Sequence, residues 1–110
     1  MVLFFFLAPF AVQLLGGLVV GSVANKIIAC FYIKHLTLKQ SQAIADTNLT
    51  SLNDNIKLIY NDPNKTKKIN IGLYNTKSET IEEAVDVKYD GIDNSLENEL
   101  QRNNNILILN

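Results

Sequence analysis

Residues 13–36, QLLGGLVVGSVANKIIACFYIKHL, decide how this chain is read. From Val2 to Ile33 the strongly polar residues are Gln13, Ser22, Asn25 and Lys26. A helix needs about 20 apolar residues to cross the hydrocarbon core of a bilayer. Leu3 to Ala24 supplies that length. No basic residue precedes the run, and it exceeds the apolar region of a secretory signal, so it reads as a retained span. A hairpin turning at Gly16–Gly17 would leave arms of about 15 residues, too short to span, and would turn bent backbone toward lipid. Pro9 then marks the start of the regular helix.

Gln13, Gly17, Gly21 and Asn25 recur every fourth residue. On a helix that spacing makes one narrow stripe, which Ala29 extends. Gly17 and Gly21 form a GxxxG pair that permits close backbone approach, and the two amides can hydrogen-bond across the same contact. The stripe predicts contact with other transmembrane helices, of this chain or of another subunit.

The charges divide unevenly along the chain. Residues 1–39 carry three lysines and no acid, whereas residues 40–110 carry seven basic and eleven acidic side chains. Lys26, Lys34, His35 and Lys39 all follow the apolar run and form a basic patch at the membrane surface. By the positive-inside tendency this puts the N-terminus outside and the C-terminus on the cytoplasmic side of a cell membrane or a virion's internal membrane. Phe31 and Tyr32 then sit at the interface, where amphipathic rings are common. Anionic lipid accounts for so small a patch better than nucleic acid does.

Beyond the patch, Leu38, Ala45, Leu52 and Ile59 recur every seventh residue, with Leu49 and Ile56 interleaved. This predicts an amphipathic stalk helix, ended by the NDPN stretch at 61–64 because Pro63 disfavours helix before it. The period then changes to two. Ile69, Ile71 and Leu73 predict one strand, Val85, Val87 and Tyr89 a second, and the final ILIL at 106–109 a third. YDGID at 89–93 reads as a turn, and NSLENELQR at 94–102 as a short helix capped by Asn94 or Ser95. The terminal strand pairs within its own sheet or augments a partner's.

Chemistry is sparse. One cysteine, Cys30, allows no internal disulfide, and one histidine gives no zinc cluster. Residues 86–97 match a calcium loop at Asp86, Asp90, Gly91 and Glu97, but Lys88 stands where a ligand oxygen belongs. An Asp-Gly turn after a strand is the plainer reading. The sequons at Asn48 and Asn64 would lie on the cytoplasmic side, away from glycosylation. No catalytic, cofactor-binding or metal-binding residue is expected.

These readings predict a membrane-anchored α+β protein. Its parts are a transmembrane segment over 1–33, a basic juxtamembrane and stalk region over 34–62, and a small head over 63–110 with about three strands and one helix. The expected function is non-enzymatic, that of a bitopic structural subunit anchoring or spacing an assembly at a bilayer. Its partners would be lipid, other membrane helices and a protein docking on the head. One alternative is a small protein of a lipid-containing virus that links the internal membrane to the capsid. Another is a holin-like pore former or a pilin-like subunit.

Overall fold

The computed structural model describes residues 26–61 and 65–109. They form strand β1 (Ile27–Leu36), helix α1 (Leu38–Asn48), strands β2 (Asn55–Tyr60), β3 (Lys68–Asn75) and β4 (Thr80–Ile92), helix α2 (Asn94–Arg102) and strand β5 (Ile106–Ile108). All five strands join one sheet in the order β1-β4-β3-β2-β5. β2, β3 and β4 make an antiparallel meander. β1 lies parallel to β4 at one side, and β5 antiparallel to β2 at the other.

Alternation fixes what each face carries, because successive strand residues point to opposite sides. Ile59, Ile69, Ile71, Leu73, Val85 and Val87 share the first face with Ala45 and Leu49 of α1 and Leu96 and Leu100 of α2. Both helices therefore cover one face, and the larger core lies beneath them. Leu58, Tyr60, Tyr74, Ala84 and Ile106 belong to a smaller cluster on the second face, which contains no helix residue. Strands such as β2 and β4 are thus apolar on both sides at their centres.

Local signals set the element ends. Thr37 and Gln40 form a capping box at the start of α1: the Gln40 N–H donates to Thr37 Oγ1 at 3.2 Å, and the Thr37 N–H donates to Gln40 Oε1 at 3.1 Å. At the β3–β4 turn, Asn75 Oδ1 accepts from the N–H groups of Lys77 and Ser78, and Glu79 takes a left-handed backbone with φ 58°. After α2, Asn104 and Asn105 are both left-handed, at φ 57° and 67°. Asparagine tolerates that region better than most residues, so the chain can reverse sharply into β5. There Leu109 N–H donates to Lys57 O at 2.7 Å, and Asn61 N–H donates to Asn105 O at 2.8 Å.

The expected arrangement of membrane helix, stalk and small head is corrected by this sheet. No described helix is long and apolar enough to cross a membrane. Ile27–Ile33, read as the end of a membrane helix, belongs to β1. A continuous apolar run does not by itself distinguish a helix from a strand, and this one is rich in the β-branched and aromatic residues that favour strands. The stalk is an 11-residue helix packed on the sheet. Of its seven-residue series, Leu38 and Leu52 are exposed, and Ile59 lies in β2. The number of strands is five rather than three. The expected turn at 89–93 is largely strand, since β4 continues to Ile92. The short helix falls on 94–102 as expected, with Asp93 rather than Asn94 or Ser95 at its N-cap. The span over residues 1–25 lies outside the described residues, as does Pro63.

Two substitutions probe the packing. A Cβ on Gly72 would lie 3.0 Å from both Ile81 Cγ2 and Tyr60 Cε1, and both neighbours are buried. Gly72→Val should destabilise the domain by about 1–3 kcal/mol through overpacking, read as a lower denaturant midpoint with unchanged slope. Glu79→Gly should raise stability by about 1 kcal/mol, because it removes the left-handed penalty of a residue bearing a Cβ.

Candidate interaction surface

On the second face, polar groups gather toward the β1 side. Lys68, Asn70 and Asp86 occupy neighbouring positions of β3 and β4, with Asn70 opposite Asp86 and Lys68 opposite Lys88. Asp86 accepts from Asn70 Nδ2 and pairs with Lys68 Nζ at 3.2 Å. Both ionic side chains are about one-fifth exposed. Asp90 accepts from the Tyr32 hydroxyl, which ties β1 to β4 by side chains as well as backbone. That bond, more than the accompanying desolvation and repulsion, holds the Tyr32 phenol above its ordinary pKa.

These contacts occupy the carboxylates of the calcium-like stretch. Asp86 and Asp90 lie on an extended strand, engaged with neighbouring strands, and Glu97 is on α2. A calcium loop instead curls its ligands around one point. Asp93 accepts from the Ser95 hydroxyl at the helix start. Among the described residues, no three of His, Cys, Asp and Glu are grouped so as to hold a metal ion.

Open clefts lie at two places among the described residues. One, of about 380 Å³, lies at the end of the sheet beside Leu52, Asp54, Asn55, Asn75 and Glu82. Of its two acids, Asp54 pairs with Lys77 at 3.5 Å, and Glu82 is satisfied within the sheet, since its Oε1 accepts from Asn55 at 3.1 Å and its Oε2 from Asn75 at 3.0 Å. That clamp joins β2, β3 and β4. The other cleft, of about 390 Å³, is bordered by Lys65, Lys67, Tyr89, Asp90 and Glu97. Its charges are mixed.

The feature that stands apart is β1. It has ten residues and, among the described residues, pairs on one side only, with β4. Ile27 is 43% exposed, Phe31 37% and Tyr32 63%, and Cys30 is exposed as well. Phe31 shares a face with Val87, and Tyr32 lies opposite Lys88 on the other face, so the strand shows apolar groups on both sides. At the far side of the sheet, β5 has three residues.

The residues singled out from the sequence fall as follows. Gln13, Gly17, Gly21 and Asn25 lie outside the described residues. Ala29 is in β1 beside Val85, so the four-residue stripe does not continue through it as helix. Lys26 precedes β1, Lys34 and His35 follow one another on it, and Lys39 is in the first turn of α1. All four are exposed. Neighbouring strand residues point to opposite faces, so Lys34 and His35 do not make one basic surface. Phe31 and Tyr32, expected at a lipid interface, lie on β1, an outer strand of the sheet among the described residues.

Tyr60 carries a pH dependence. Burial, helped by the negative charge of Asp86, pushes its phenol up to about 12. The folded state therefore keeps the proton after the unfolded chain, with an ordinary value of 10.0, has begun to lose it. The stability contributed by the neutral phenol is complete below pH 10.0 and is lost as pH rises toward about 12. Tyr60→Phe should make thermal stability fall less steeply across that window than in the wild type. Parallel curves would remove Tyr60 as a source of the alkaline loss. No protein-family model, curated protein or solved structure matches this chain.

Proposed function

We propose that the chain is a non-enzymatic structural subunit. Its sheet domain joins an assembly through the free edge of β1, and the apolar run Leu3–Ala24 holds that domain at a bilayer. The observation that carries this reading is the ten-residue outer strand, apolar on both faces and exposed at Ile27, Phe31 and Tyr32. An unpaired row of N–H and C=O groups is a template for another strand, and proteins that do not use such an edge shorten it, charge it or cover it. Here only Lys34 and His35, near one end, serve that purpose. A strand flanked by apolar groups on both faces is suited to the middle of a sheet.

Attachment to a bilayer rests on the sequence. The apolar run has the length for it, and the first lysine follows it directly at Lys26. The cation bias after the run favours a sheet domain on the cytoplasmic side.

Fractionation tests the attachment. The full chain should remain with membranes through an alkaline carbonate wash, and deletion of residues 2–24 should release it. Release of the full chain by that wash would sink the bilayer part of the reading. Sidedness can be read at two exposed positions, Cys30 and Ser78→Cys. Ser41 is unsuitable because it is buried, with its hydroxyl donating to Thr37 O at 3.0 Å. An impermeant maleimide should label neither position in intact cells and both after permeabilisation. Labelling of both in intact cells would reverse the orientation.

A further inference from the structure

We infer that the free edge of β1 pairs antiparallel with the same edge of a second copy of this chain. The inference rests on the reading of the protein as an assembly subunit and names its partner. The juxtaposition behind it is a long apolar edge at one side of the sheet and a three-residue strand at the other.

The backbone comes first. In a parallel pair, alternate residues direct both their N–H and their C=O toward the neighbour. Tyr89 N–H donates to Lys67 O at 3.1 Å, so Tyr89 and Val87 face β3, and Lys88 and Asp86 face β1. Phe31 and Ile33 lie opposite Val87 and Tyr89, and Cys30 and Tyr32 opposite Asp86 and Lys88, so Phe31 and Ile33 bond to β4, while Cys30 and Tyr32 turn their backbone groups outward. Those outward groups form the row that a partner strand would pair with. β4 already has neighbours on both sides, and β5 is too short to template a long strand.

Charge then selects the direction and favours a like partner. Lys34 and His35 occupy one end of β1, and no acid lies on the strand. A parallel neighbour of the same kind would bring cations beside cations. An antiparallel copy related by a two-fold axis through the sheet, near Phe31 and Tyr32, puts the basic end of each strand beside the Ile28–Cys30 end of the other. Lysines are then kept apart, and apolar groups meet apolar groups on both faces. Such an axis keeps each face continuous, so the helices of both copies stay on the same side.

Closure argues for the same partner. A two-fold pair consumes both long edges and leaves a β5 edge at each end of a ten-stranded sheet. The assembly then ends in short strands, one of the ways natural sheets avoid further growth. The two Ile27 positions lie at opposite ends of the paired edge. Both apolar runs can therefore reach one bilayer only if the sheet lies along its surface.

The test uses the full chain in mild detergent. Light scattering corrected for detergent should give the mass of two chains. Cys30 is the chain's single cysteine, and it is exposed, so a spin label there reports the pairing directly. Antiparallel pairing near the centre of β1 puts the two Cys30 α-carbons roughly 8–14 Å apart, from strand rise and spacing. The spin–spin distance should be short accordingly. Phe31→Lys should weaken the dimer at least tenfold while the circular dichroism spectrum and melting remain cooperative. Tyr32→Pro removes an outward N–H and should do the same. If it fails to fold, Phe31→Lys decides. Leu52→Lys, at an exposed apolar residue away from the edge, should leave the dimer intact. A monomer would overturn the pairing, and so would a dimer unaffected by Phe31→Lys or a Cys30 separation beyond about 25 Å, too long for strands paired at this edge. The two proposals fail separately: a monomer retained in carbonate-washed membranes loses the pair alone, whereas an edge-paired dimer washed from them loses the bilayer attachment alone.

Discussion

Pairing on both sides of β4 is the constraint on which the rest of the domain depends. This strand runs from Thr80 to Ile92 and is bonded to β3 over most of its length and to β1 from Ala84 onward. It carries Val85 and Val87 to the helix-covered core and Ala84 to the opposite cluster. A one-residue slip of β4 against β3 would exchange those faces. It would put Asp86 under the helices and remove it from Lys68 and Asn70. The Asp86–Lys68 pair thus has a clear role in register, whatever its net stabilisation. Partly buried pairs gain little over an apolar replacement, but losing one partner leaves a poorly solvated charge.

The two helices share one job. α1 carries the chain from β1, across the first face, to β2 on the far side of β3. α2 does the same between β4 and β5. Each presents a narrow apolar stripe: Ala45, with Leu49 at the end of α1, and Leu96 and Leu100 in α2. Outside those positions the helices are largely polar. Lys57 reaches from β2 to Asp46 of α1 at 3.1 Å. This contact, together with a hydrogen bond from Gln42, holds the Asp46 carboxyl below its ordinary pKa. Asp46 remains exposed, so the ion pair guides the placement of α1 more than it stabilises it.

The sequence was most legible where alternation stands between clear breaks. β3, the middle of β4, helix 94–102 and the terminal strand all follow from local pattern. β2 was hidden because Leu52, Ile56 and Ile59 have helical spacing by coincidence, although IKLIY after NDN carries β-branched and aromatic residues suited to a strand. β1 was hidden for a different reason. It directly follows an apolar run, and a strand that is apolar on both faces has no period of its own to set it apart from a buried helix. Its parallel pairing with β4, across more than fifty residues of sequence, is a non-local choice that no short window contains. The interaction surface went unread for the same reason, since Phe31 and Tyr32 become edge residues only once β4 is known to be their single neighbour.

That dependence bears on how the surface could work. β1 is held to the sheet by one ladder and by the Tyr32–Asp90 contact, and its outward side is apolar at Phe31 and polar only toward Lys34 and His35. A strand held on one side only should open more readily than β3, which is paired along both edges and buried on both faces. Edge pairing with a second strand would supply the missing ladder and lower the solvent exposure of Phe31 and Tyr32 together. Assembly and stability of β1 are then one equilibrium: whatever binds the edge also completes the strand's own fold. A domain built this way would gain its final rigidity from a strand paired at that edge, because the remaining strands of the sheet are already bonded to their neighbours.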